Sequence, residues 1–207
     1  MNILYTISIK SYVIAIRIAA LFNFKAKLWV EGRKTIFQKL AEATKEDHDI
    51  VWFHCASLGE FEQGKPIIEG YKIKHPTHKI LLTFFSPTGY EIRKNYDGVD
   101  WVFYLPADTK KNAKQFISII NPIKVFFIKY EFWFNYMAEL NKNNIPFYSV
   151  SSIFREEQSF FQYDWFAKQL NNVNHFFVQD ENSKELLKNI GFFNCTVAGD
   201  TRFDSVI

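Results

Sequence analysis

An α/β fold, built as a Rossmann-like doubly wound parallel sheet, follows from three observations on the 207-residue sequence. From residue 50 onward, short runs rich in β-branched and aromatic residues recur, apolar on both faces. Stretches of helical spacing separate them, and small polar residues mark where the runs end. Strands that are apolar on both faces and alternate with helices belong to a parallel sheet covered by helical layers.

The first element precedes this pattern. Residues 3–22 are mostly apolar and predict a helix; at 100° per residue, Lys10 and Arg17 fall within about 20° of one another. Thr6 lies beside them, so a narrow cationic stripe interrupts a wide apolar face. Three readings remain open: attachment to a membrane surface, packing on the chain's own domain, and a true span. Two cations near a bilayer centre are costly, whereas a helix lying in the interface lets both reach headgroups. The basic tract from Lys25 to Lys39 favours the surface reading, because cations beside an apolar helix are drawn to anionic lipid. No small-residue cleavage site follows Leu21-Phe22-Asn23, so a signal peptide fits poorly. The expected organisation is a membrane-associating helix with its basic tract over residues 1–45, then a Rossmann-like domain over 46–207.

Within that domain, Ile50–His54 predicts a strand that ends in Ser57-Leu58-Gly59. A helix follows through Phe61, Ile67, Ile68 and Tyr71, with a kink or restart expected after Gly64 because of Pro66. Ile80–Phe85 is the second strand, closed by Ser86-Pro87-Thr88-Gly89. Trp101–Tyr104 is the third, ended by Pro106, with a helix from about Thr109 to Ile120. Ile123–Ile128 is the fourth, followed by a helix over Phe132–Asn143. Phe147–Val150 and Phe176–Val178 continue the sheet, with helices near 159–170 and 181–190 and a last short strand at Thr196-Val197.

Composition removes several function classes. The net charge of +3 hides an asymmetry: residues 1–40 carry seven cations against Glu31 alone, so the remainder is acidic. A nucleic-acid binder places its basic stripe on the folded body, so none is expected as partner; a basic end suits an anionic membrane surface. Cys55 and Cys195 form no CxxC motif. His75 and His78 flank Pro76-Thr77 without a thiol or carboxylate at ligand spacing, which makes them loop residues and leaves no metal site. Neither GxGxxG nor GxxxxGK[ST] occurs, so a nicotinamide or nucleoside triphosphate cofactor has little support. The 23 Phe and 10 Tyr exceed what a core needs, and part of them should meet something apolar.

Ligands of such sheets gather beyond the carboxyl ends of the strands. Three loops there carry chemistry: Ser57-Leu58-Gly59-Glu60, Ser86-Pro87-Thr88-Gly89 and Lys129-Tyr130-Glu131. Helix N-termini behind small residues present N–H groups to anions. Glu60 and Glu131 each have a plain structural reading, as carboxylates complementing a helix dipole. That dipole is expected to lower the pKa of Glu60, favouring the ionised form a base requires while weakening its basicity.

In order along the chain, these loops resemble one family. Trp52-Phe53-His54-Cys55-Ala56-Ser57-Leu58-Gly59-Glu60 is similar to the opening strand and His-Ala-x-Ser-x-Gly-Glu turn of bacterial 3-deoxy-D-manno-octulosonic acid (Kdo) transferases. Thr83 with Ser86-Pro87-Thr88-Gly89 resembles a second motif, and Tyr104-Leu105-Pro106-Ala107-Asp108 the Tyr-Leu-Pro-x-Asp motif. Tyr130-Glu131-Phe132-Trp133-Phe134-Asn135 resembles Glu-x-Trp-Pro-Asn. Gly199-Asp200-Thr201-Arg202-Phe203-Asp204 looks like the segment closing the N-terminal domain, and Glu31-Gly32-Arg33-Lys34 is also similar. Lys129 departs from a commonly acidic position and Phe134 from Pro.

The resemblance implies the N-terminal half of a GT-B glycosyltransferase, whose two Rossmann-like domains face each other across a cleft. The N-terminal domain would hold lipid A or its precursor, and an absent C-terminal domain would hold the donor, CMP-Kdo. Ending at Ile207, the chain would then be the acceptor half, inactive alone, at the cytoplasmic face of the bacterial inner membrane. The implied chemistry is inverting and needs no metal or cofactor. Glu60 would be the catalytic base, and Ser57, Gly59, Ser86, Thr88, Gly89 and Glu131 would bind acceptor, with Ser86, Thr88 and their N–H groups placed for a phosphate. Two rivals stay open: another GT-B enzyme, such as a nucleotide-sugar epimerase or a lipid-linked glycosyltransferase, and a membrane-attached lipid-binding module without chemistry.

Overall fold

The apolar runs become strands in a computed structural model that describes residues 3–129 and 131–200. They are β1 (Ile50–Cys55), β2 (Lys79–Phe84), β3 (Trp101–Tyr104), β4 (Lys124–Ile128), β5 (Phe147–Ser152), β6 (His175–Val178) and β7 (Cys195–Val197). All pair in parallel, in the order β3-β2-β1-β4-β5-β6-β7. This is the doubly wound sheet expected from the sequence. Its order reverses between β1 and β4, and the crevice beyond their carboxyl ends is where such sheets take ligands.

The helices between the strands are α4 (Leu58–Lys74), α5 (Pro87–Arg93), α6 (Lys110–Ile120), α7 (Phe134–Lys142), α8 (Ser159–Gln162), α9 (Asp164–Gln169) and α10 (Glu181–Asn189). Successive side chains of a strand point to opposite faces, so two cores form. Trp52, Val125, Phe127 and Phe176 meet Phe116, Met137 and Leu187 on one side. Phe53, Leu82 and Ile128 meet Phe61 and Ile68 of α4 on the other. β1 lies at the sheet centre and is buried along its whole length. On the α4 side the cover thins beyond β4, where Phe126, Tyr148 and Phe177 are only half-buried.

One expectation needs correction. α4 runs unbroken from Leu58 to Lys74 with Pro66 inside it, and does not restart after Gly64. Packing decides this: a Cβ on Gly64 would lie 3.0 Å from Ile128 and 3.1 Å from the Cys55 sulfur, so the glycine lets the helix seat closely on the sheet. The missing N–H of Pro66 is tolerated in return for that contact.

The basic tract, too, is structured. After α1 (Ile3–Ala19) come α2 (Phe24–Glu31), capped by the Asn23 side chain, and α3 (Ile36–Ala43). Trp29 of α2 is buried, and Ile36 and Leu40 of α3 enter the core beneath β3 and α6. Both α2 and α3 thus bury side chains against the body, and α1 is the outlying element. No residue of α1 is buried. Two tyrosines hold it: the Tyr5 hydroxyl donates to Asp108 with its ring 4.9 Å from Phe134, and the Tyr12 ring stands edge-on to Trp29 at 5.9 Å. Ile3, Ile7, Ile14 and Ile18 are exposed along its outer side. No described helix is long and apolar enough to cross a membrane.

Candidate active site

The site is built from the ends of β1, β2 and β4. The β1 chain turns at Ser57, whose side chain accepts the Glu60 N–H at 3.4 Å, while Glu60 Oε2 accepts the N–H groups of Ala56 and Ser57. This is a complete capping box. The structural reading of Glu60 is thus realised, yet both bonds use Oε2 and neither uses Oε1.

Electrostatics set Glu60 apart from an ordinary cap. Burial and the nearby Glu131 carboxylate push its pKa up to about 8, outweighing the two N–H bonds and the opposing charge of Lys129. The dipole-lowered pKa expected from sequence is overturned, because that expectation counted only the helix end. A carboxylate that titrates near the working pH is a competent general base.

Glu131 enters from β4. It follows Lys129, which sits in the left-handed region at φ 65°. Its Oε2 lies 3.7 Å from Nε2 of His54, a residue with no exposed surface at the end of β1. That Nε2 accepts from the Trp133 indole N–H at 3.2 Å, so the proton resides on Nδ1, which faces the carbonyl and hydroxyl of Thr83 at 3.1 and 2.9 Å. The Trp52 indole donates to the same hydroxyl at 2.7 Å. A buried polar chain through Trp52, Thr83 and His54 thereby fixes Trp133 beside Glu131.

The second loop packs against the first. Ser86 N–H donates to Ala56 O at 2.7 Å, and the Ser86 hydroxyl accepts the Gly89 N–H, capping α5. Gly89 is buried, and a Cβ there would meet the Phe84 ring at 2.6 Å and Leu58 N at 3.1 Å. Ser57, Ser86 and Gly89 therefore shape the rim, with the Gly89 N–H engaged by the Ser86 hydroxyl, which keeps its own O–H to donate. Thr88 is exposed, and so is Gly59, around which a Cβ would find nothing within 4 Å. Packing gives no reason for a glycine at 59. Gly59→Ala is expected to leave the denaturation midpoint unchanged or slightly raised, since alanine favours the helix.

Two supports escaped the sequence reading. Asp108 is buried and accepts the N–H groups of Asn135 and Tyr136 at 3.0 Å, the Asn135 amide and the Tyr5 hydroxyl. It caps the helix that follows the Glu131 loop and ties α1 to it. Arg33 donates to Trp29 O, Phe85 O and Leu105 O, clamping the ends of β2 and β3, with its guanidinium 4.0 Å over the Trp29 ring. Asp108 stood in a recognised motif, but its partners lie far away in sequence. Phe134, at the first position of α7 where proline is also acceptable, fills the aromatic cluster of Tyr5, Trp165 and Phe166 beneath α1.

Residues 31–205 match the family model described as 3-deoxy-D-manno-octulosonic-acid transferase (kdotransferase). The chain belongs to this family. A 3-deoxy-D-manno-octulosonic acid transferase of Aquifex aeolicus is 35% identical over 50% of the chain and 28% of the relative. A bifunctional glycosyltransferase/methyltransferase of Fusobacterium nucleatum is 27% identical over 70% of the chain and 24% of the relative. The corresponding transferase of Haemophilus influenzae is 30% identical over 47% and 23%. The matched region thus spans about a quarter of each of these relatives. Among solved structures, a putative UDP-N-acetylglucosamine 2-epimerase of Listeria monocytogenes superposes with a TM-score of 0.60 at 12% identity, over 77% of this chain and 47% of that one. At that identity the likeness is one of fold. Of the motifs that carried the family resemblance, Tyr130 and residues 201–204 lie outside the described residues.

Proposed function

We propose that the chain is the acceptor-binding half of a glycosyltransferase that moves Kdo from CMP-Kdo to lipid A or its precursor. The observation that carries this reading is the meeting of Glu60 and Glu131 at the switch point between β1 and β4, close enough for one to raise the other's pKa. A nucleoside monophosphate leaves without a proton from the enzyme, so the paired acid and base of a glycosidase are not required. One base must take the proton of the attacking sugar hydroxyl as the C–O bond forms from the face opposite the departing CMP. Glu60 fills that role through Oε1, with Oε2 anchored in its cap, and the anomeric centre inverts. Glu131, beside the His54–Trp133 pair, orients the acceptor. Gly59 and Thr88 line its approach, and Ser57, Ser86 and Gly89 set the loop shapes.

The reaction uses no metal or cofactor in this reading. The donor sits on a second Rossmann-like domain of the kind GT-B enzymes carry. α1 lies on the cytoplasmic face of the inner membrane with its exposed isoleucines in the lipid. Titration of the chain with a lipid A precursor and, separately, with CMP-Kdo tests the assignment. Saturable binding of the precursor with negligible binding of CMP-Kdo is expected. The reverse pattern would sink it.

A further inference from the structure

A cleft of about 450 Å³ opens between α1 and the body. Three cations line it: Lys10 and Arg17 from α1, and Arg33 from the turn after α2. The amino end of α6 joins them through Thr109 and Asn112, adding the positive pole of an eleven-residue helix. Among the described residues no acidic side chain lines the cleft. Arg33 is largely enclosed by aromatic rings, its three hydrogen bonds go to neutral carbonyls, and two of its five N–H donors are left over. Trp29, also in the lining, is buried and its indole N–H has no acceptor among the described residues. Enclosed positive charge and an orphaned donor are costly until an anion arrives.

The remaining wall is apolar, from Val13, Ile14 and Phe37. Ile14 is 58% exposed, continuous with the outer face of α1. A small soluble anion would have no use for that wall. We infer that the cleft is a headgroup site for a diacylglycerol lipid bearing a phosphate monoester, its phosphate among Lys10, Arg17 and Arg33 and its acyl chains along the apolar wall toward the outer face of α1. This goes beyond general attraction to an anionic surface and stands independently of sugar transfer. A monoester, with more charge and more free oxygens than a diester, uses the leftover guanidinium donors.

The 207-residue chain is titrated with phosphatidylcholine vesicles carrying either phosphatidic acid or phosphatidylglycerol at matched surface potential. Phosphatidic acid vesicles should bind at least about tenfold more tightly, the lower end of the scale of one additional charge-assisted hydrogen bond. The preference should vanish in Lys10→Gln/Arg17→Gln, whose changes lie on an exposed helix face and leave the body folded. Arg33→Lys, which keeps the charge and loses the fork, should weaken the preference. Short-chain phosphatidic acid should compete for binding where inorganic phosphate at equal concentration does not. Equal affinity for the two vesicle types, or phosphate competing as well as the lipid, would overturn the inference.

Discussion

Replacing Glu60 with Gln in a full-length protein that also carries the donor half is expected to cut turnover by at least ~10²-fold, the usual scale for loss of a general base. The substitution is clean, because glutamine also serves in a capping box: its side-chain oxygen can accept from Ala56 and Ser57 as Oε2 does now. Helix α4 should keep its start, and the thermal midpoint should stay close to that of the parent. Near-normal turnover would remove Glu60 from the chemistry.

The pH profile gives an independent handle. With its pKa near 8, the base form grows as pH rises, so kcat/KM should climb with a midpoint near that value. Glu131→Gln removes a like charge and should move the midpoint to lower pH. The effect on stability has the opposite sign. The folded state holds this proton more tightly than the unfolded chain, whose ordinary carboxyl value is 4.5. The contribution of Glu60 to stability is complete below that pH and is lost as pH rises through about 8.

The second large effect is structural. Asp108→Ala is expected to destabilise the chain by about 3 kcal/mol or more, read from urea unfolding. It strands the buried N–H groups of Asn135 and Tyr136, and each orphaned donor costs ~1–3 kcal/mol; the Asn135 amide keeps its bond to the backbone carbonyl of residue 108. Tyr5→Phe removes only one hydrogen bond to the same carboxylate and should cost about 1 kcal/mol. A loss for Asp108→Ala no larger than that of Tyr5→Phe would show that the cap on α7 contributes little.

Much of this fold can be read from the chain because its strands are apolar runs that nothing interrupts. β1, β2 and β4 announce themselves through residues such as Ile50–Phe53 and Ile80–Leu82, buried on both faces. α3 hid behind its lysines and arginines, although Ile36 and Leu40 stand at helical spacing and both end in the core. Of the two outcomes expected at Pro66, a kink or a restart, the restart does not occur, because the close seating of Gly64 on the sheet keeps the helix in one piece. At the site, Glu60 and Glu131 were legible as loop carboxylates, but their coupling was not. It depends on β1 and β4 being neighbours, which seventy intervening residues do not disclose. The grip of Asp108 on Asn135 and Tyr5 spans still less predictable separations of 27 and 103 positions.

The uneven cover of the sheet bears on where the molecule can breathe. Every residue of β1 is buried, whereas none of the three residues of β7 is, and the aromatic side chains between them on the α4 face are half-exposed. Local opening therefore costs least at the β6–β7 margin and approaches global unfolding at the centre. Glu60 and Glu131 hang from the two strands that open last, so the margin can fray without disturbing the distance between them.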